Sequence, residues 1–245
     1  MKIETKEAYL SCVKLASEAA NAYYLNNDPV MSDYEYDELI RNIRQYEAAN
    51  PTDISPDSPT QKVAELPQSS FEKVAHKVPM LSLQDVFDTD EVAKFIRENP
   101  GHTYIVEEKI DGLSMSATYE KGKLVRAETR GDGFIGEDVT ENAKFILGLP
   151  KNLNTDVFGA PDVLEVRLEV FLPVERFLAI NNEREEKGEK LFANPRNAAA
   201  GLLRTKDINA MKDAGLECFV FNVQRAEGIK FSHHRASLSV MNAYG

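Results

Sequence analysis

Glu107, Lys109 and Asp111 occupy alternate positions in the stretch Val106-Glu107-Glu108-Lys109-Ile110-Asp111-Gly112. A lysine amine is a nucleophile once it has lost its proton. Carboxylates two residues to either side hold such an amine in place and compensate its charge. In an extended strand, side chains alternate between faces. The pattern predicts a strand over 103–110, with Glu107, Lys109 and Asp111 on one face and Val106, Glu108 and Ile110 on the other. An ordinary solvated strand of mixed charge reads the same way, so the triplet needs support from the rest of the chain.

Three other stretches carry chemistry. Leu164 to Leu172 is predicted as a strand that sets Glu165, Arg167 and Glu169 against Val166, Leu168 and Val170. Arg130-Gly131-Asp132-Gly133-Phe134-Ile135-Gly136-Glu137-Asp138 is glycine-punctuated, which lets backbone approach a ligand closely; a flexible hairpin tip has the same composition. Near the N-terminus, Asp33 and Asp37 lie one helical turn apart and repel. With Tyr23, Tyr24 and Tyr36 they make either an acidic first turn or an aromatic and carboxylate pocket for a flat cation.

The elements that must hold these residues are legible in part. Leu10, Val13, Ala16, Ala20 and Tyr24 recur at helical spacing and predict a helix over 4–25 with those residues buried. Ser32 and Glu35 form a capping box that opens a second helix, with Tyr36, Leu39, Ile40, Ile43 and Tyr46 as its buried stripe, ending before Asn50-Pro51. Residues 51–75, with four prolines, read as a linker or extended arm and put a domain boundary near residue 68. An extended apolar stretch, 76–83, follows. A helix over 89–99 is capped by Thr89 or Asp90. Strands 113–119 and 123–130 pair across Glu120-Lys121-Gly122. A short helix is predicted over 139–147 and another over 174–187. Asn194 is a good N-cap with Pro195 at the first helical position, and the following Ala/Gly run permits close backbone packing. A strand over 217–224 and a helix over 232–244 close the chain.

The 245 residues carry a net charge of −11, and the N-terminal quarter is especially acidic. Such a chain has no general attraction for a phosphate backbone. Cys12 and Cys218 have no zinc or disulfide spacing, which makes a reducing compartment the default. No apolar run is long enough to span a membrane, and Met1 to Glu7 lacks the apolar core of a signal peptide. The expectation is a cytoplasmic monomer.

In their order, Lys109-Ile110-Asp111-Gly112, Arg130-Gly131-Asp132-Gly133 and the Glu169 strand resemble the nucleotidyltransferase superfamily of ligases and capping enzymes. Tyr23-Tyr24 with Ser32-Asp33-Tyr34-Glu35-Tyr36-Asp37 resembles the N-terminal helical domain of bacterial NAD+-dependent DNA ligases, and 76–83 and 193–204 resemble two further stretches of those enzymes. The resemblance covers the chain from about residue 4 to its end. It implies an α+β fold. A small helical domain, 1–68, precedes a nucleotidyltransferase domain, 69–245, of the ATP-grasp-like DNA ligase and mRNA capping type. That domain has antiparallel sheets with flanking helices and is incomplete at its C-terminus.

The resemblance also implies roles. Lys109 attacks the α-phosphate of NAD+ to give a lysyl-adenylate and NMN, with Asp111 positioning it and helping to place Mg2+. Ser82, Leu83 and Glu107 line the adenine and ribose side. Arg130 lies by ribose or phosphate, and Glu169 contacts the ribose. Tyr23, Tyr24, Asp33, Tyr36 and Asp37 hold the NMN half. Arg196 and Arg204 support the site or contact phosphate. Nicked double-stranded DNA is the partner of the full-length enzymes. The alternative is an NAD+- or NMN-binding module without turnover.

Two points stand against easy chemistry. Flanking carboxylates favour the unreactive ammonium form of a lysine, so bound Mg2+ and partial desolvation must offset them. The chain also ends before the second lysine motif, OB-fold, zinc module, helix-hairpin-helix repeats and BRCT domain of the family, and it reads as an N-terminal fragment. Leu168 and Leu202 replace a glycine and a serine of the family pattern. If strand alternation holds, Leu168 faces away from the site and fills core space.

Overall fold

The computed structural model describes residues 3–24, 30–61, 71–81, 83 and 86–245, apart from the side chains of Tyr24 and Asp33. In chain order the elements are α1 (Lys6–Tyr24), α2 (Asp33–Ala49), a 3-10 turn (Pro51–Asp53), β1 (Lys73–Ala75), α3 (Thr89–Glu98), β2 (Leu113–Glu120), β3 (Lys123–Thr129), β4 (Ile135–Glu137), α4 (Thr140–Ala143), β5 (Val163–Phe171), α5 (Val174–Glu186), α6 (Pro195–Leu203), α7 (Ile208–Asp213), β6 (Glu217–Glu227) and α8 (His234–Tyr244).

The helical part is an α1–α2 pair. The capping box at the start of α2 is present in full: Ser32 accepts from the Glu35 N–H, and the Glu35 carboxylate accepts from the Ser32 N–H. The buried face of α1 is Tyr9, Val13, Ala16 and Ala20, whereas Leu10 is exposed. That face is rotated from the predicted one because Tyr9 goes inward. Its ring stacks on Tyr46 at 4.8 Å and its hydroxyl donates to Glu47 Oε1 at 2.8 Å. Thr60 also donates to Glu47, at 2.5 Å, and the Ser55 N–H donates to the Tyr9 hydroxyl at 2.9 Å. Burial pushes the Glu47 carboxyl up, but hydrogen bonds from Thr60, Ser58, Tyr9 and Gln61 outweigh it and leave the group below its ordinary range. The proline-rich segment is therefore not a free arm throughout: residues 55–60 are tied to the helices, and Lys73–Ala75 forms a strand.

Four antiparallel strands in the order β3-β2-β5-β6 form the main sheet. The register between β2 and β5 sorts its two faces. Met115, Ala117 and Tyr119 lie opposite Leu168, Val166 and Leu164 on the core face; Ser114, Ser116 and Thr118 lie opposite Glu169, Arg167 and Glu165 on the other. The core face packs on Ala198, Ala199 and Leu203 of α6, Met211 of α7, and Val240 and Tyr244 of α8. Burying each larger apolar side chain there contributes about 2 kcal/mol. Leu168 is fully buried, as the alternation requires. A second, two-stranded sheet pairs β1 with β4 inside the glycine-rich segment.

Several expectations need correction. The strand predicted over 103–110 is not in a sheet: among the described residues no backbone hydrogen bond joins 103–111 to a neighbour, and 103–109 are exposed. Period-two alternation states a preference, and pairing requires a partner edge; both edges of β2 are already taken by β3 and β5. The helix predicted over 139–147 is only Thr140–Ala143. The cap of α3 is Asp88, whose carboxylate accepts from the Glu91 N–H. The last strand runs on to Glu227.

Candidate functional site

The polar face of the sheet carries the site at the C-terminal end of β5. Gly112 anchors the lysine segment there. A Cβ on this residue would meet the Val170 carbonyl oxygen at 2.2 Å, so only glycine lets the chain pass so close to β5. Lys109 is exposed, three residues before this anchor. Asp111 accepts from Arg196 Nη1 at 2.9 Å, and Arg196 sits in the first turn of α6. That helix begins as its sequence dictates, with Asn194 Oδ1 accepting from the Asn197 N–H at 2.8 Å and Pro195 next to it. Ala198 and Ala199 are fully buried, and without large side chains they let α6 lie close on the sheet.

Glu169 accepts from the Ser114 hydroxyl at 2.6 Å across the β2–β5 register. Burial lifts its carboxyl above the ordinary range. The Ser114 hydrogen bond and the charges of Arg196 and Lys109 oppose that rise, and Asp111 adds to it. The charges of Lys109, Asp111 and Arg196 thus all act on Glu169. Beside Glu169, Phe171 and Phe219 stack with centroids 5.2 Å apart. Glu107 is held from a different direction, by His234 Nε2 of α8 at 3.1 Å. Neither acid flanking Lys109 is therefore devoted to the lysine.

The Arg130 segment is a closed turn and not a loose tip. Gly131 has φ +58°, and a Cβ there would overlap the Ile135 carbonyl. Asp132 Oδ1 accepts from the N–H groups of Phe134 and Ile135. The turn is laced to the 76–80 stretch: the Met80 N–H donates to the Gly133 carbonyl at 2.8 Å, and Arg130 Nε donates to the Met80 carbonyl at 3.2 Å. Arg167 also reaches this stretch, donating to the Pro79 carbonyl at 2.6 Å. Leu83 is exposed; Ser82 lies outside the described residues.

From the helical part, the Tyr23 ring lies 6.0 Å from the Arg196 guanidinium carbon, at the outer edge of cation–π range. Tyr36 packs partly buried against the α1–α2 core, and Asp37 lies on the exposed side of α2. The side chains of Tyr24 and Asp33 lie outside the described residues. Arg204 goes elsewhere. Its Nε pairs at 2.9 Å with fully buried Glu137, which Lys73 approaches from the other side at 3.4 Å.

Ser114 and His234 were not found from sequence. Ser114 sits two residues after Gly112, but its partner is visible only once the β2–β5 register is known. No local signal links His234 to Glu107 across 127 positions. Among the described residues no three His, Cys, Asp or Glu side chains converge as a metal cluster. Mg2+ is commonly held by one or two carboxylates with substrate phosphates, and Asp111 with Glu169 fits that donor pattern.

A helical pair followed by this antiparallel sheet, with the Lys109 segment leading into β2 at Gly112, defines an adenylation domain of the nucleotidyltransferase type with an N-terminal helical part. Residues 68–245 match the NAD-dependent DNA ligase adenylation domain, and residues 4–64 match the DNA ligase-like, N-terminal NAD+-binding domain. The chain belongs to the NAD-dependent DNA ligase family. Among its relatives, the DNA ligase of Acetivibrio thermocellus is 46% identical over 231 residues, covering 92% of this chain and 34% of that protein. The DNA ligase of Thermoanaerobacter sp. is 46% identical over 227 residues, covering 91% and 34%. The DNA ligase of Campylobacter lari is 41% identical over 242 residues, covering 98% and 36%. The chain thus spans about a third of the length of these relatives.

Proposed function

We propose that this chain carries out the adenylation step of an NAD+-dependent DNA ligase. The Lys109 amine, having lost a proton, attacks the α-phosphate of NAD+. A P–N bond forms, the bond to the NMN phosphate breaks, and the chain holds AMP while NMN leaves. In the whole enzyme this AMP would serve the sealing of 3′-hydroxyl and 5′-phosphate nicks in DNA replication and repair. The observation that carries the reading is the meeting of Lys109, Asp111, Glu169 and Arg196 at the end of β5, on a family background that names NAD+.

Residues 1–68 are the NMN-binding unit and 69–245 the adenylation unit. Tyr23, Tyr24, Asp33, Tyr36 and Asp37 receive the NMN half, since a flat cation suits aromatic faces and carboxylates. Ser82, Leu83 and Glu107 line the adenine side, Glu169 takes the ribose and Arg130 the phosphate or ribose. Arg196 steadies Asp111. Arg204 supports the site from a distance, through Glu137 beneath the Arg130 turn. Mg2+, held by Asp111 and Glu169 with the nucleotide phosphates, would neutralise phosphate charge and favour the free amine. The chain acts as a monomer in the cytoplasm, a setting that its two unpaired cysteines support; among the described residues no helix is long and apolar enough to cross a membrane.

The test follows NMN. Incubation with NAD+ and Mg2+ should release one NMN per chain, and Asp37→Ala should abolish that release. Release undiminished in Asp37→Ala would refute the NMN assignment. NAD+ binding with no NMN released would favour a binding module.

A further inference from the structure

His76 and Glu128 form a buried pair under the Arg130 turn that none of the chemistry above uses. Their side chains are 1% and 8% exposed, with His76 Nδ1 at 3.5 Å from Glu128 Oε2. On its other side the imidazole Nε2 lies 3.0 Å from the Arg130 carbonyl oxygen. A carbonyl only accepts hydrogen bonds, so Nε2 must carry a proton and donate it. The His76 backbone N–H also donates to the Phe134 carbonyl, at 2.8 Å. Gly136 completes the cradle: a Cβ there would come within 3.0 Å of the imidazole Cε1 and Nε2. The ring is therefore wedged between the two ends of the turn.

Glu128 Oε2 is buried without a hydrogen-bond partner, facing the ring. Burial lifts this carboxyl above its ordinary range. His76 and Arg126 oppose the rise, and Glu165 and Asp138 add to it. A buried acid oxygen left without a hydrogen bond costs stability, and this one lies 3.5 Å from the imidazole that holds Arg130.

We propose that His76 is a positioning residue for Arg130, with its Nε2–H holding the Arg130 carbonyl and Glu128 steadying the far side of the ring. Arg130 Nε is at the same time tied to the Met80 carbonyl at 3.2 Å. His76 thus fixes the backbone from which that guanidinium projects. The inference rests on the reading that places Arg130 at the nucleotide.

The test has two arms on the whole chain. In 15N NMR of the imidazole, Nε2 of His76 should be protonated at neutral pH; an unprotonated Nε2 there overturns the proposal. In adenylation by NAD+, His76→Ala should lower the second-order rate about tenfold. His76→Gln, whose amide N–H reaches the same carbonyl, should recover most of the rate. In an Arg130→Ala background the His76→Ala effect should fall below about twofold, because the two act as a unit. The same tenfold loss in that background overturns the proposal. An Arg130→Ala variant with unchanged adenylation refutes instead the placement of Arg130 at the nucleotide. If His76→Ala fails to fold, the NMR arm and His76→Gln decide: His76→Gln should keep most of the parent rate, and a tenfold loss in that variant overturns the proposal.

Discussion

Arg196 Nη1 donates to Asp111 Oδ1 at 2.9 Å, while the same guanidinium lies 6.0 Å from the Tyr23 ring. One cation thus touches the lysine segment and the helical part together. It also draws Asp111 away from exclusive pairing with Lys109, as His234 does for Glu107.

Replacing Arg196 by lysine should separate stability from chemistry. The Asp111 carboxylate is well exposed, so the pair contributes at most about 1 kcal/mol to folding. A lysine has no planar fork to serve Asp111 and Tyr23 at once. Melting should change little, and adenylation should fall at least about tenfold. A parallel loss of both would mean that Arg196 is only a structural residue.

Gly112→Ala addresses the docking of the lysine segment. The added methyl would sit 2.2 Å from the Val170 carbonyl oxygen and 3.2 Å from Glu169 Cγ. Backbone must shift, at a cost of about 1–3 kcal/mol, and the shift moves the Lys109 segment relative to Glu169. Both a lower denaturation midpoint and loss of adenylation are expected. A variant of normal activity would show that the close approach is not needed.

How much of this was legible in sequence depends on how local the cause is. The Ser32–Glu35 box, the Asn194 cap and the β2–β3 hairpin depend on near neighbours, and each formed where predicted. The alternation of β5 also held, because one of its faces is buried throughout. The 103–110 stretch has equally good alternation and forms no ladder, since a partner edge is a non-local requirement. Leu10 and Tyr9 are neighbours on the helix surface, and the Glu47 hydrogen bond that brings Tyr9 inward spans 38 positions. Four of the proposed site residues converge near β5, but Arg204 pairs with Glu137, and nothing in the 193–204 sequence indicates that partner.

Arg204→Ala should therefore act on stability first. Among the described residues it leaves the fully buried Glu137 carboxylate with the more distant Lys73 as its cation. Removing one partner of a buried pair costs about 3 kcal/mol. Adding Glu137→Gln should recover part of that loss, as read by chemical denaturation. If Arg204→Ala melts normally yet loses adenylation, Arg204 belongs at the phosphate.

Glu169 gives a pH signature. Burial raises its folded-state carboxyl above the unfolded value. Such a group stabilises the fold at pH below the unfolded value, about 4.3, and that contribution is lost as pH rises through the folded value. Glu169→Gln should therefore be more stable than the parent at neutral pH, with the difference shrinking as pH falls toward the ordinary carboxylate range. The same variant should lose nucleotide contact and adenylation. Equal stability of the two proteins from acid to neutral pH would contradict the burial cost.

The central claim is that Lys109 becomes adenylated, and intact-protein mass spectrometry followed by peptide mapping tests it most directly. After incubation with NAD+ and Mg2+ the chain should gain the mass of one AMP, located on Lys109 and absent in Lys109→Ala. An adduct on another residue, or one that persists in Lys109→Ala, would contradict the account.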